Sequence, residues 1–173
     1  QYDHIRGEVS KNCIILGVII NLMADNYLEK RYEEVFGAAK KGSVSLRKPA
    51  LDTLLLKNRS YRGYDKSYVV HRIQLDAIVS VNPKLASSVN AQRLRFHPVT
   101  KGPESEKVFS CLHFGGAAPG VPLPFPGTEP EAFIVVCSTV PENASIDIDL
   151  GISLQSMLLK AVELGLGGVI VRI

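Results

Sequence analysis

The chain has little net charge and few cysteines, and both scarcities close off classes of function. Net charge is +3 over 173 residues. The basic side chains are scattered, with no Lys/Arg block, so the electrostatic footprint of a nucleic-acid binder is missing. Aromatics interleaved with clustered charge, which would stack single-stranded bases, are missing too. Cys13, Cys111 and Cys137 are odd in number and far apart along the chain. They show neither a CxxC nor a Cys/His ligand spacing, so neither a metal centre nor a disulfide framework is indicated. Free thiols in a reducing cytoplasmic compartment are the simplest reading. His4, His71, His97 and His113 are isolated and read as surface or packing residues. The apolar run CIILGVIINLM (13–23) falls short of the roughly 20 residues that a transmembrane helix needs, so no membrane partner is expected. There is no Walker A sequence. The glycines of 165–168 do not form a GxGxxG after a strand, so no Rossmann fingerprint is present. No nucleophile–base pair stands out.

What remains is an ordinary globular composition, 46% hydrophobic and 21% charged, enough for one domain with a real core. Residues 1–22 do not match the rest of the chain. Preceded by Arg6 and Lys11, the apolar run resembles a signal h-region, but no clear cleavage site comes after it. The preferred reading makes 1–22 an upstream, non-native segment and starts the domain at Met23. The chain stops at GGVIVRI, a β-branched run that reads as a strand, so the domain 23–173 is expected to be C-terminally incomplete.

Along the chain, 25–42 reads as a helix capped by Asp25, with Tyr27, Leu28, Tyr32, Val35 and Phe36 at near-helical spacing. Pro49 opens a second helix with Leu51, Leu54 and Leu55 on one face. Residues 67–81 fit helix or strand, and the turn-like GYDKS before them favours helix. NPKLASSVNAQ (82–92) is turn chemistry, and RLRFHPV (93–99) alternates as a strand. The Gly/Pro-rich stretch 108–131 reads as a long loop. AFIVVCST (132–139) is a buried strand. Asp147 or Asp149 is expected to cap a helix over 148–167 whose Leu154, Met157, Leu158 and Val162 form an apolar stripe. The order of helices, strand, loop, strand, helix and strand implies an α+β or α/β fold.

Three segments look too specialised for packing alone. Arg59-Ser60-Tyr61-Arg62 ends an apolar helix with a fork of guanidinium and hydroxyl donors, suited to an anion such as phosphate. Ser87-Ser88-Val89-Asn90-Ala91-Gln92 gathers hydroxyls and amides in one turn, suited to a neutral ligand with many hydrogen-bonding edges. ELGLGG (163–168) joins a helix to a strand, where glycines let backbone N–H groups approach a flat ligand. Each also has a plainer reading: a solvated helix end, an ordinary turn and a helix stop.

In this order the three segments resemble the nitroreductase family of flavin enzymes. That family has an Arg-Arg-Ser-x-Arg motif; here Asn58 replaces the first arginine, while Arg59, Ser60 and Arg62 match. Its Pro-Ser-x-x-Asn-x-Gln motif precedes a strand carrying Arg-Phe; here Ala86 replaces the proline, while Ser87, Asn90, Gln92, Arg95 and Phe96 match. Its Asp-x-Gly helix with an Ala-x-x-x-Gly-Leu-Gly ending matches Asp149, Gly151, Ala161, Gly165, Leu166 and Gly167. The stretch LPFPGTEPEAFIVV also looks like small bacterial members. The resemblance spans residues 24–173.

The resemblance implies a three-layer α/β/α fold with a mostly antiparallel central sheet, and non-covalently bound FMN. Arg59, Ser60 and Arg62 would then hold the phosphate. Ser87, Asn90 and Gln92 would meet the ribityl chain and ring edge across a homodimer interface, and the backbone of Leu166, Gly167 and Gly168 would lie beside the ring. The implied reaction takes electrons from NADH or NADPH to a nitroaromatic, quinone or similar small-molecule acceptor by a ping-pong cycle. The flavin carries the chemistry, so no catalytic side chain and no metal are expected. Two alternatives stay open: an inactive flavin-binding or structural homologue, and a relative that uses reduced flavin for other chemistry. Family members carry a further basic phosphate contact near the C-terminus, which residues up to Ile173 do not supply.

Overall fold

A computed structural model describes residues 13–18, 50–114 and 120–172. The helix expected over 25–42 lies outside them, as does the central part of the Gly/Pro-rich stretch. The elements in chain order are β1 (Cys13–Val18), α1 (Leu51–Lys57), α2 (Arg72–Val79), β2 (Leu94–Val99), α3 (Pro103–Ser110), β3 (Phe133–Ser138), α4 (Ala144–Glu163) and β4 (Gly168–Arg172). Two 3-10 turns, Asn82–Lys84 and Ser88–Asn90, lie between α2 and β2. The fold is α+β.

The four strands form one sheet in the order β2-β3-β1-β4, and each neighbouring pair is antiparallel. β1 comes from the apolar run 13–23. Its register sets Cys13 opposite Cys137 and Val18 opposite Gly168, so two cysteines distant in sequence share one rung of the sheet.

Side-chain alternation along β3 separates two apolar clusters. Ile134 and Val136 pack with Leu75 and Ile78 of α2 and with Leu154, Met157, Leu158 and Ala161 of α4. Phe133, whose neighbours along the strand point the other way, packs with Val99 and with Val108 and Phe109 of α3. The stripe on α4 recurs at three- and four-residue spacing, which is why a 20-residue helix can lie along the sheet.

Three local features differ from the sequence reading. The cap of α4 is Asn143, whose Oδ1 accepts from the backbone N–H of Ser145 at 3.0 Å and of Ile146 at 3.2 Å. The helix therefore begins four residues before Ile148, and Asp147 is a first-turn acid that complements the helix dipole. Helix α3 stands where the sequence reading places no element. It takes the first residues of the expected loop, and its signals are in the sequence: Pro103 in the first turn, Glu104 and Glu106 after it, and Lys107 at the end. The leucines of α1 are not a buried face. Leu51 is 60% exposed, and α1 contributes no buried residue.

Candidate functional site

Helix α4 ends in the geometry that its glycines dictate. Gly165 sits at φ +78°. Its N–H donates to the Val162 carbonyl at 3.0 Å, and the N–H of Leu166 donates to that of Ala161 at 2.9 Å. These two bonds make a Schellman end, and buried Leu166 closes it against the same core as Ala161. Gly165 is thus a helix stop, and the Leu166 amide is committed within the chain.

The next two glycines meet the arginine segment. Ser60 forms a parallel bridge with Gly168, and the N–H of Tyr61 donates to the Gly168 carbonyl at 3.1 Å. The Tyr61 ring lies over Gly167, where a Cβ would come within 2.5 Å of Cδ2. The Tyr61 hydroxyl donates to the Lys57 carbonyl at 2.9 Å. Tyr64 is buried and donates its hydroxyl to the Tyr61 carbonyl. Burial pushes the Tyr64 phenol far above its ordinary range, against a smaller downward pull from Arg62. Burial likewise raises Tyr61, opposed by Arg59. Both phenols stay protonated and act as donors.

The fold therefore brings Arg59, Ser60 and Arg62 beside Gly167 and Gly168, although about a hundred residues separate them in the chain. The guanidinium of Arg59 donates to the carbonyls of Leu55 at 3.0 Å and Asn58 at 2.7 Å, and that of Arg62 donates to Ser60 at 3.1 Å. Neither is ion-paired with a carboxylate among the described residues. With five donors on each guanidinium, both keep N–H groups for an anion. Exposed Ser60 stands between them.

Downstream, the segment is pinned to the loop before β3. Lys66 Nζ lies 2.6 Å from Glu129 Oε2, and the Gly127 N–H donates to Glu129 Oε1 at 2.9 Å. Lys66 first, then the Gly127 amide, holds the Glu129 carboxyl at about 2, and the same pair raises Lys66 above its ordinary value. A depressed carboxylate contributes stability above its unfolded value of 4.5 and loses it as pH falls towards the folded value. The difference in urea midpoint between the wild type and Glu129→Gln should be constant near neutrality and should vanish as pH falls from about 4.5 to about 2. A difference unchanged by acid would count against the pair.

The second segment forms its own unit. The Gln92 N–H donates to Ser87 Oγ at 3.2 Å, Gln92 Nε2 to Asn90 Oδ1 at 3.2 Å, and the Asn90 N–H to the Ser87 carbonyl at 2.9 Å. Ser87, Asn90 and Gln92 are thus together. The turn is fastened to α4 by Asp149, a buried carboxylate that accepts the Ser88 N–H at 2.8 Å. That role replaces the capping expected of Asp149. Val89, Asn90 and Gln92 adopt φ of +46°, +53° and +46°, left-handed values that are costly for a β-branched residue. Val89 is 90% exposed, so its side chain gains nothing in return. Val89→Gly should stabilise the chain by about 1 kcal/mol in chemical denaturation, since glycine removes that strain. An unchanged or lower midpoint would refute strain at this position.

The two units occupy opposite corners of the sheet. The Ser87–Gln92 turn leads into β2 at one edge, where Leu94 pairs with Ser138 beyond the Cys13–Cys137 rung. Ser60 adjoins β4 at the other edge, where Gly168 pairs with Val18. Strand spacing and rise put the corners on the order of 25 Å apart.

No family model matches the chain, and no characterised protein matches it in sequence. Among the described residues no helix is long and apolar enough to cross a membrane, and no three His, Cys, Asp or Glu side chains gather into a metal site.

Proposed function

We propose that the chain is an FMN-dependent oxidoreductase of the nitroreductase type, with the three-layer α/β/α arrangement of that family. The observation that carries the reading is the Ser60–Gly168 bridge. It joins two of the three segments that the resemblance assigns to one flavin. The donor set fits the phosphate: two guanidiniums with no carboxylate partner among the described residues flank a hydroxyl, and charge-assisted forks are strong binders of dianionic oxygen. Arg59, Ser60 and Arg62 would grip that group. The bridge, the Tyr61 N–H bond and the Tyr61 ring fix their backbone, so little ordering is left for binding to impose. Bound FMN would supply the hydride chemistry, from NADH or NADPH to a nitroaromatic, quinone or similar acceptor.

Within one chain Ser87, Asn90 and Gln92 are too distant to share that flavin. A homodimer resolves this, since a second copy can bring its own turn to the Arg59 corner. Support comes from the turn's surroundings. Ile148 and Ile152 are exposed at a mainly apolar cavity of about 330 Å³ that is also lined by Ala86, Ser87 and Asp149, and Val89 of the same turn is exposed, a surface suited to burial against a partner.

A second reading has its own observation. The face of Gly167 is filled by Tyr61 and the Leu166 amide by the helix end, so ELGLGG is explained without a ligand. That favours a structural homologue without turnover.

The deciding experiment is a visible spectrum of the purified protein incubated with FMN. A bound flavin band that bleaches with NAD(P)H and returns with a quinone supports the oxidoreductase. A protein that stays colourless refutes it. Arg59→Ala should weaken FMN binding by about 1.5 kcal/mol, the value of one charged hydrogen bond, and unchanged affinity would remove Arg59 from the phosphate grip.

A further inference from the structure

The strand register sets two of the three cysteines opposite each other. β1 and β3 run antiparallel with Cys13 opposite Cys137, then Ile14 opposite Val136, Ile15 opposite Val135 and Leu16 opposite Ile134. β1 is held in this register from both sides, by β3 and by β4. In the order β2-β3-β1-β4 the β1–β3 pair is the middle of the sheet. It joins the half that carries the Ser87–Gln92 turn to the half that carries the Ser60 bridge.

Backbone geometry suits a covalent link at this rung. Opposed residues of an antiparallel pair have Cα atoms about 4.5 or 5.5 Å apart, according to the kind of rung. Both values fall within the roughly 4.4–6.8 Å that a disulfide spans. Opposed residues also share one face of the sheet. A bond across the rung therefore asks for no rearrangement of the strands. The rung lies at the end of the ladder, since β1 starts at Cys13 and β3 ends at Ser138. Strand ends open more readily than their centres, and Cys137 is half-buried, so a small oxidant has access. Cys111 differs: it is exposed at the end of α3 and belongs to no strand.

We propose that Cys13 and Cys137 form a redox-sensitive pair, two thiols under reducing conditions and one disulfide across the middle of the sheet when a small-molecule disulfide is in excess. One thiolate attacks a sulfur of that oxidant and releases one of its thiols. The second cysteine then displaces the other from the mixed disulfide. The two cysteines lose two protons and two electrons, and the oxidant gains them as two thiols. The link closes a loop that contains α1, α2, β2 and α3, and closing so long a loop restricts the unfolded chain most. The proposal rests on the register alone and stands whether or not FMN binds at Arg59.

The test equilibrates the full chain carrying Cys111→Ser with graded ratios of oxidised to reduced glutathione, once folded and once unfolded in urea. Serine at 111 keeps a donor for the Lys107 carbonyl. After acid quenching, mass spectrometry is expected to show the loss of two hydrogens and a cross-linked peptide pair containing Cys13 and Cys137. The equilibrium should favour the disulfide at least about tenfold more in the folded chain than in urea, because the register brings the thiols together only there. The oxidised chain should also unfold at higher urea than the reduced one, and a further Cys137→Ser should abolish both effects. Unmodified thiols, or separate glutathione adducts on Cys13 and Cys137, in a folded chain overturn the proposal. Equal equilibria in the folded and unfolded chains overturn it as well.

Discussion

Gly167→Ala is expected to destabilise the chain by about 3 kcal/mol, the upper end for overpacking a close-packed site. The cause is local and rigid. An added methyl would lie 2.5 Å from Tyr61 Cδ2 and 2.8 Å from Cε2. The ring cannot swing aside freely, because its hydroxyl is tied to the Lys57 carbonyl and its own N–H to the Gly168 carbonyl. Relief has to come from separating the Arg59–Arg62 segment from β4, which breaks the Ser60–Gly168 bridge. Urea denaturation of Gly167→Ala, Tyr61→Ala and the double variant measures this. Removing the ring removes the obstacle, so alanine at 167 should cost far less in the Tyr61→Ala background, with a coupling of at least about 1 kcal/mol. Additive losses would mean that the two residues do not touch. If FMN binds at this corner, Gly167→Ala should also lower its affinity, because the donors lose their fixed backbone.

Asp149→Ala should cost about 2–3 kcal/mol, whereas Asp149→Asn should cost well under 1 kcal/mol. The carboxylate is buried, and its Oδ1 takes the Ser88 N–H at 2.8 Å. Alanine leaves that donor without a partner at the start of a turn that already holds three left-handed residues. Asparagine keeps an oxygen in the same place. The comparison isolates the hydrogen bond from the charge. Amide hydrogen exchange supplies a second readout, since the Ser88 N–H should lose protection in the alanine variant and keep it in the asparagine variant. Equal stability of the two variants would show that the turn does not depend on Asp149.

Periodicity and breakers carried much of the architecture. Alternation in RLRFHPV and the β-branched run in AFIVVCST became β2 and β3, and the stripe of Leu154, Met157 and Leu158 became the buried face of α4. Those signals are local, because a strand or helix with one apolar face has few alternatives. The α+β class followed from them. Helix α3 was readable from Pro103, Glu104, Glu106 and Lys107, but the glycines and prolines beyond it obscured the signal. The cap at Asn143 lost to Asp147 and Asp149 because four capping side chains, Ser145 included, stand within seven residues, and side-chain type does not say which one has extended backbone.

The residue sets of the candidate site were also visible in one dimension: Arg59-Ser60-x-Arg62, Ser87 to Gln92, and the glycines after α4. Their arrangement was not. That Ser60 lies against Gly168 depends on an antiparallel sheet whose edge is β4, and that the Ser87 turn stands at the opposite corner depends on the order β2-β3-β1-β4. The meaning of Gly167 belongs to the same level. The sequence shows a glycine, and only the fold supplies the Tyr61 ring that requires it. Local pattern specifies which residues can form an element and which carry hydrogen-bonding chemistry. Which of them meet is decided by long-range strand pairing and core burial, whose free energy depends on the whole chain at once.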